Sequence, residues 1–301
     1  MRVSTRVAQA MRRGQPVVAL ESSVFAQGLP RLSNAEAARR MIQAVTEAGA
    51  VPAVTGVVRG VPVAGLETRD LNRFLDSEDI PKVSARDLAG GMGSGSDGAT
   101  TVAAAIVLAH RAGIAVFATG GIGGVHRGSG HDESADLLEL SRTPVIVVCS
   151  GAKAILDLQA TAERLESLGV TVVGYRTDTM PAFYSRETGI PVSVRVDTPD
   201  QVAAIYRAHS ALGRPGALLV VQAPPPATAL THATVEGAVT TGLRSAARAK
   251  VRGAAVTPFL LKAVAKATHG RSLTANLALL ELNAGLAGEI AASVAVARNN
   301  R

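Results

Sequence analysis

Ile114-Ala-Val-Phe-Ala-Thr119-Gly-Gly-Ile-Gly-Gly-Val-His126-Arg127-Gly128 is a short apolar run that breaks into a glycine-rich loop. The run is the length of a strand, and five glycines fall between Thr119 and Gly128. In open α/β sheets, ligands bind outside the carboxyl ends of parallel strands, and glycine lets a backbone come close to a neighbour. The loop is therefore expected to floor a site, with His126 and Arg127 projecting into the same crevice.

Similar apolar runs recur on both sides, at residues 17–20, 51–58, 145–149, 170–174 and 217–221. Helical patterns separate most of them. A Ser33…Glu36 capping box opens a helix that stops near Gly49. Further helices are expected at 100–112, 152–168, 199–212, 235–251, 258–268 and 273–297. Alternating strands and helices predict an α/β fold, three layers in α/β/α order around a mostly parallel, mixed sheet. With no linker of low complexity and no internal repeat, residues 1–301 read as a single catalytic domain. The arginine-rich start has Val3, Val7, Ala10 and Met11 on one helical face, which favours a first helix of the fold over a transit peptide.

The composition narrows the function. Hydrophobic residues are 47% of the chain, aromatics only 3%, and there is no Trp. The net charge of +7 favours anionic ligands. Five Phe and three Tyr are too few and too scattered for a nucleic-acid stacking platform. The basic cluster Arg244, Arg248, Lys250 and Arg252 reads as the solvated end of a helix. No uninterrupted apolar run approaches a bilayer's width, so no membrane association is expected. Cys149 is the single cysteine, which suits a reducing cytoplasm and excludes a cysteine metal cluster.

Four motifs could carry chemistry. Cys149-Ser-Gly-Ala-Lys153 places a lysine on the expected first turn of a helix, where the dipole opposes its charge. A neutral amine there is what a Schiff-base nucleophile needs; an ordinary surface lysine is the competing reading. Asp132-Glu-Ser-Ala-Asp136 sets two carboxylates on one helical face, suited to Mg²⁺ or Mn²⁺, or else simply decorates a helix start. Glu21 ends the first strand and Lys82 follows a turn, offering an acid and a phosphate clamp. Gly93-Ser-Gly-Ser-Asp-Gly98 fits G-x-G-x-x-G, but no strand precedes it as the dinucleotide fingerprint requires.

These residues resemble a known family. Val18-Ala-Leu-Glu21-Ser-Ser, Lys82-Val-Ser-Ala-Arg-Asp87, Gly98-Ala-Thr-Thr-Val102-Ala, Thr119 through Gly128, Asp132 through Asp136, Cys149 through Lys153, Thr257-Pro-Phe-Leu-Leu261 and Ser272-Leu-Thr-Ala-Asn276 are similar to pseudouridine-5′-phosphate glycosidase, in order and over almost the whole chain. The resemblance implies reversible cleavage of pseudouridine 5′-phosphate to uracil and D-ribose 5-phosphate, an activity named pseudouridylate synthase, a hydro-lyase, in the synthetic sense. It implies one Mn²⁺ per subunit and a cytoplasmic homotrimer. By the same match Glu21 is the proton donor and Lys153 the nucleophile. Lys82, Val102, Ser134, Ala135 and Asp136 bind substrate, Asn276 is a further polar member of the site, and Asp132 holds the metal. Gln222-Ala-Pro224 departs from the family's usual Asn-Pro, a difference expected near the base. Two other classes compete: a non-catalytic binder of a phosphorylated sugar or nucleotide, and a dinucleotide-dependent oxidoreductase resting on the Gly93–Gly98 motif alone.

Overall fold

The computed structural model describes residues 1–77, 79–128, 132–251 and 256–299, without the side chains at 257, 258 and 297–299. The chain opens with β1 (Arg2–Val3), α1 (Thr5–Arg12), β2 (Val17–Leu20), α2 (Ser23–Ala26), α3 (Arg31–Glu47), β3 (Val51–Val58) and β4 (Val61–Ala64). Next come α4 (Thr68–Asp76), β5 (Lys82–Val83), a 3₁₀ turn at Ala85–Asp87, α5 (Leu88–Ser94), β6 (Ala99–Thr100), α6 (Val102–Arg111), β7 (Val116–Ala118) and β8 (Val125–His126). The middle of the chain supplies α7 (Ala135–Leu140), β9 (Ile146–Cys149), β10 (Leu156–Asp157), α8 (Leu158–Ser167), β11 (Thr171–Tyr175), β12 (Val194–Val196), α9 (Pro199–Ala211) and β13 (Leu218–Val221). Three helices finish it: α10 (His232–Arg248), α11 (Val256–Ala267) and α12 (Arg271–Asn299).

Nine strands form one sheet in the order β1-β4-β3-β2-β7-β9-β13-β11-β12. All its pairs are parallel except β3–β4. That exception has a local cause. Arg59 and Gly60 both take positive φ, 50° and 76°, the conformation of a tight hairpin turn whose twist matches the strands. The central strands β2, β7, β9 and β13 are buried at every residue, as Val-rich strands covered on both faces must be.

Right-handed crossovers fix the layers. Connections running toward the β1 edge (β2 to β3, β12 to β13) put α3 and α9 on one face. Those running the other way (β3 to β7, β7 to β9, β9 to β11) put α6, α7 and α8 on the opposite face. Helix α12 packs along α3 and α9 and over β2, β7 and β9. By length and mean hydropathy Arg271–Val296 passes for a membrane span, although Asn276, Glu281, Asn283 and Glu289 interrupt it and no uninterrupted apolar run in it approaches a bilayer's width. More than half of that window is buried, and a helix apolar all round is what the middle of a packed layer requires. The arginine-rich start likewise belongs to the fold, since Val7 and Ala10 of α1 are buried.

Several expected boundaries move. Helix α3 starts at Arg31 with Pro30 at its N-cap, so Ser33 and Glu36 are not a capping box. Glu36 instead accepts hydrogen bonds from Arg39 at 2.9 Å and Arg40 at 2.6 Å. Helix α8 begins at Leu158 behind an Asp157 cap, six residues later than the spacing predicts. The glycine run from Gly93 is the end of α5, with Gly95 in the left-handed conformation (φ 69°) as its C-cap. Helix C-termini do not cradle phosphates, so the dinucleotide reading loses its one motif. In the basic cluster, Arg244 and Arg248 lie on α10 and Lys250 just beyond it, while Arg252 falls outside the described residues.

Candidate active site

The chain leaves β2 for β3 on one side and later returns to β7 on the other, making a switch point between β2 and β7. Leu20 pairs with Ala118 there, so the next residues, Glu21 and Thr119, stand side by side at the carboxyl edge. Glu21 is buried. Its carboxylate accepts hydrogen bonds from Thr119 Oγ1 at 2.5 Å and Ser23 Oγ at 2.6 Å.

Beyond the sheet, the loops after β7 and β9 keep pairing. Ser150 N–H donates to Gly120 O at 2.9 Å, Ile122 N–H to Gly151 O at 3.0 Å and Lys153 N–H to Ile122 O at 3.0 Å. This loop ladder, not a helix, positions Lys153. No helix dipole therefore acts on its amine from its own turn. The glycines pack the ladder tightly, and Gly120, Gly121 and Gly123 also line the cleft, as the sequence predicts for its floor. A Cβ at Gly121 would lie 2.6 Å from the Phe183 ring, and one at Gly123 2.2 Å from Ser134 Oγ.

The two loops open onto a cleft with two parts. An outer chamber of about 570 Å³ is lined by Lys82, Ser84, Arg86, Val102, His126, Asp132, Ser134, Ala135 and Asp136, among others. An inner recess of about 60 Å³ is lined by Gln27, Phe183, Leu261, Asn276 and Leu280. Glu21, Ser23, Lys82 and Lys153 border both. The nine residues singled out from sequence therefore converge on one cleft, at opposite ends and with different duties.

The outer end carries both signs, with Lys82, Arg86 and Lys153 alongside Asp87, Asp132 and Glu133. Lys82 is exposed at the mouth, yet its ammonium is crowded by protein. That desolvation lowers its pKa from the ordinary lysine value; repulsion from Lys153 adds to the effect, and Glu21 and Asp136 oppose it. Thr101 caps α6 and accepts from Ala104 N–H at 3.4 Å, while Ala103 N–H goes to Asp136 at 2.9 Å. Val102 holds the first position of α6, where a backbone N–H has no intrahelical acceptor. An anion in the chamber would find that N–H beside the positive end of the helix.

The expected carboxylate pair does not form. Asp136 is buried with both oxygens committed, Oδ1 to Ala103 N–H and Oδ2 to Gly123 N–H at 2.8 Å. It straps the glycine loop to α6. Asp132 precedes α7 and pairs by backbone with His126, whose N–H donates to Asp132 O at 2.9 Å. Its carboxylate stays largely exposed, 3.8 Å from His126 Nδ1. Glu133 is taken by Arg164 at 2.8 Å. Among the described residues no three His, Cys, Asp or Glu side chains gather as a metal cage. What remains fits a hard cation that keeps most of its water, held by Asp132 with His126 alongside.

The inner end is apolar with two unsatisfied acceptors. Of four buried polar side-chain atoms without a partner among the described residues, two border this recess: Gln27 Oε1 and Asn276 Oδ1. Gln27 Nε2 donates to Ile80 O, which fixes its oxygen as the free atom. Sequence reasoning named Asn276 but not Gln27, Thr119 as Glu21's partner, or Phe183. Phe183 sits at φ 61°, an uncommon state for a bulky residue, and nothing in the string Pro181-Ala-Phe-Tyr signals it. Gln222 lines neither the chamber nor the recess. It is buried against α12, donating to Asn283 Oδ1 at 3.0 Å.

Relatives share this architecture. The model of the indigoidine synthase A like protein family matches residues 6–293. A pseudouridine-5′-phosphate glycosidase of Gemmatimonas aurantiaca is 57% identical, covering 97% of this chain and 96% of its own. One from Roseiflexus is 52% identical over 97% and 95%. The crystal structure of the prealnumycin C-glycosynthase AlnA in complex with ribulose 5-phosphate superposes with a TM-score of 0.92 at 42% identity, covering 99% of this chain and 98% of that one. The chain belongs to the indigoidine synthase A like protein family, which it shares with the pseudouridine-5′-phosphate glycosidases.

Proposed function

We propose that this chain reversibly cleaves the C–C glycosidic bond of pseudouridine 5′-phosphate, giving uracil and D-ribose 5-phosphate. The observation that carries the reading is the position of Glu21 and Lys153. Both border the chamber and the recess, between an end that offers Lys82, Arg86 and the α6 N-terminus to a phosphate and an apolar end with free acceptors. Lys82, Arg86 and the Val102 N–H take the phosphate. Gln27 and Asn276 accept N–H groups of the base, which a uracil ring supplies.

A C–C bond offers no leaving nitrogen to protonate, so the sugar must become the electron sink. Glu21 gives a proton to the ring oxygen as the Lys153 amine bonds to C1′, and the C1′–O bond breaks. The new secondary amine sheds a proton. Its lone pair then forms the C=N⁺ bond while the C1′–C5 bond breaks, and its electrons take up a proton at the base carbon. Uracil leaves. Water adds to the iminium, returning the lysine and open-chain ribose 5-phosphate. Positioned proton transfer of this kind contributes about 10²–10⁴-fold. A divalent cation at Asp132 would supply Lewis-acid neutralisation of substrate oxygens. A C-glycosynthase relative makes rather than breaks such a bond, which supports reversibility.

The Mn²⁺, homotrimeric and cytoplasmic parts of the reading, and a single catalytic domain, rest on the family resemblance and the lone buried cysteine. Uracil release from pseudouridine 5′-phosphate, assayed with and without Mn²⁺, is the central test. No uracil under either condition, with ribose 5-phosphate still bound, would favour the non-catalytic binder. Light scattering at micromolar concentration tests the trimer, and a monomer would remove it.

A further inference from the structure

Arg127 was expected to face the crevice, but its side chain turns the other way. Strands β8 and β10 pair antiparallel, His126 opposite Leu156 and Val125 opposite Asp157. From the end of β8 the guanidinium reaches back across this ribbon. Nε donates to Leu156 O at 3.0 Å and Nη2 to Ala154 O at 3.1 Å. The outer nitrogens grip Glu236 bidentately, both at 2.7 Å. Only 23% of the side chain is exposed.

The residues it holds matter. Ala154 and Leu156 are the first and third residues after Lys153. The ladder with Ile122 fixes Lys153 from the side of its own N–H. On the other side Leu156 N–H donates to Lys153 O at 3.0 Å, and Arg127 holds the carbonyls of that same turn. Glu236 lies on α10, which packs against α11, and α11 places Leu261 in the recess. One planar guanidinium thus joins the glycine loop, the nucleophile turn and the helical pair that walls the base end. An ammonium cannot span four acceptors in this arrangement.

We propose that Arg127 is a positioning residue. Without touching substrate, it holds Lys153 at reacting distance and couples that position to the α10–α11 wall through Glu236. The inference rests on the reading of Lys153 as the nucleophile, and its test separates the two. Wild type, Arg127→Lys, Glu236→Gln and the double variant are incubated with ribose 5-phosphate and cyanoborohydride, and adduct on Lys153 is timed by mass spectrometry. Circular dichroism and the Kd for ribose 5-phosphate are measured alongside. A misplacement of about 1 Å can cost about 10²-fold in rate. Arg127→Lys is accordingly expected to stay folded, bind ribose 5-phosphate within about threefold of wild type, and lose about 30- to 100-fold in trapping rate and kcat. Glu236→Gln should lose less alone and add nothing to Arg127→Lys. If Arg127→Lys fails to fold, Glu236→Gln carries the test, and a trapping rate equal to wild type overturns the inference. So does wild-type trapping in folded Arg127→Lys, or a loss that only follows weakened ribose 5-phosphate binding. No adduct on Lys153 in the wild-type protein would remove the nucleophile and this inference with it.

Discussion

Asp132 and Asp136 are the same side chain four residues apart, and their surroundings separate them completely. Asp136 is buried with two backbone N–H donors, so Asp136→Asn puts an amide N–H where an acceptor is needed. That should cost about 2–3 kcal/mol in urea unfolding, since hydrogen bonds to charged groups are the stronger ones. Asp132→Asn should leave stability within about 0.5 kcal/mol, as exposed substitutions usually do, while calorimetric Mn²⁺ binding disappears. Equal stability losses would mean the duties are wrongly divided. Lys82 makes a second prediction. Burial and Lys153 lower its pKa, so its charge is full at low pH and is lost as pH rises through a value below the ordinary lysine range. The apparent KM for a phosphorylated substrate should therefore climb on the alkaline side sooner than an ordinary lysine allows. Lys82→Arg, always charged, should flatten that climb; an unchanged profile would take Lys82 off the phosphate.

At the scale of elements, α12 has two roles. Its Asn283 is fully buried and donates to Thr119 O at 2.9 Å and to Ser150 Oγ at 3.2 Å. It accepts from Gln222 at 3.0 Å, so one amide ties the ends of β7, β9 and β13 to the helix. Gln222 thus belongs to this hub and lines neither part of the cleft. Helix α12 also lies close on α3. A Cβ at Gly288 would stand 2.5 Å from Ala48 Cβ, with Val45 O at 3.3 Å. Gly288→Val is expected to overpack this seam and cost about 1–3 kcal/mol, read as a lower midpoint in urea. A neutral effect would show that the helices separate freely.

The whole molecule carries an alkaline liability. Burial pushes the Cys149 thiol from its ordinary 9.0 up to about 12, and burial also raises the Tyr184 phenol, against a Ser272 hydrogen bond that lowers it. Folded-state values above the unfolded ones mean stability that is whole below pH 9 and lost as pH rises toward 12. Unfolding free energy should fall over that window, and Cys149→Ala should shallow the fall; an identical slope would assign it elsewhere. The apolar runs alone determined the six inner strands β2, β3, β7, β9, β11 and β13, because strands covered on both faces must be continuous runs of Val, Ala and Leu, while the outer strands β1, β4 and β12 lie outside those runs. They located 17–20 and 51–58 to the residue. Motif order alone brought out Glu21, Lys82, Asp132, Lys153 and Asn276. What the sequence left open were matters of who meets whom across space. Spacing put Lys153 on a helix and paired Asp132 with Asp136, because local pattern is blind to a loop ladder that lengthens β7 and β9. Only the packed sheet decided that Asp136 is a strap, that Gln27 faces the recess, and that Arg127 turns from the crevice to Glu236, 109 residues away in the chain. A side chain's partner is set by which elements the fold brings within about 3 Å, and no local pattern records that distance.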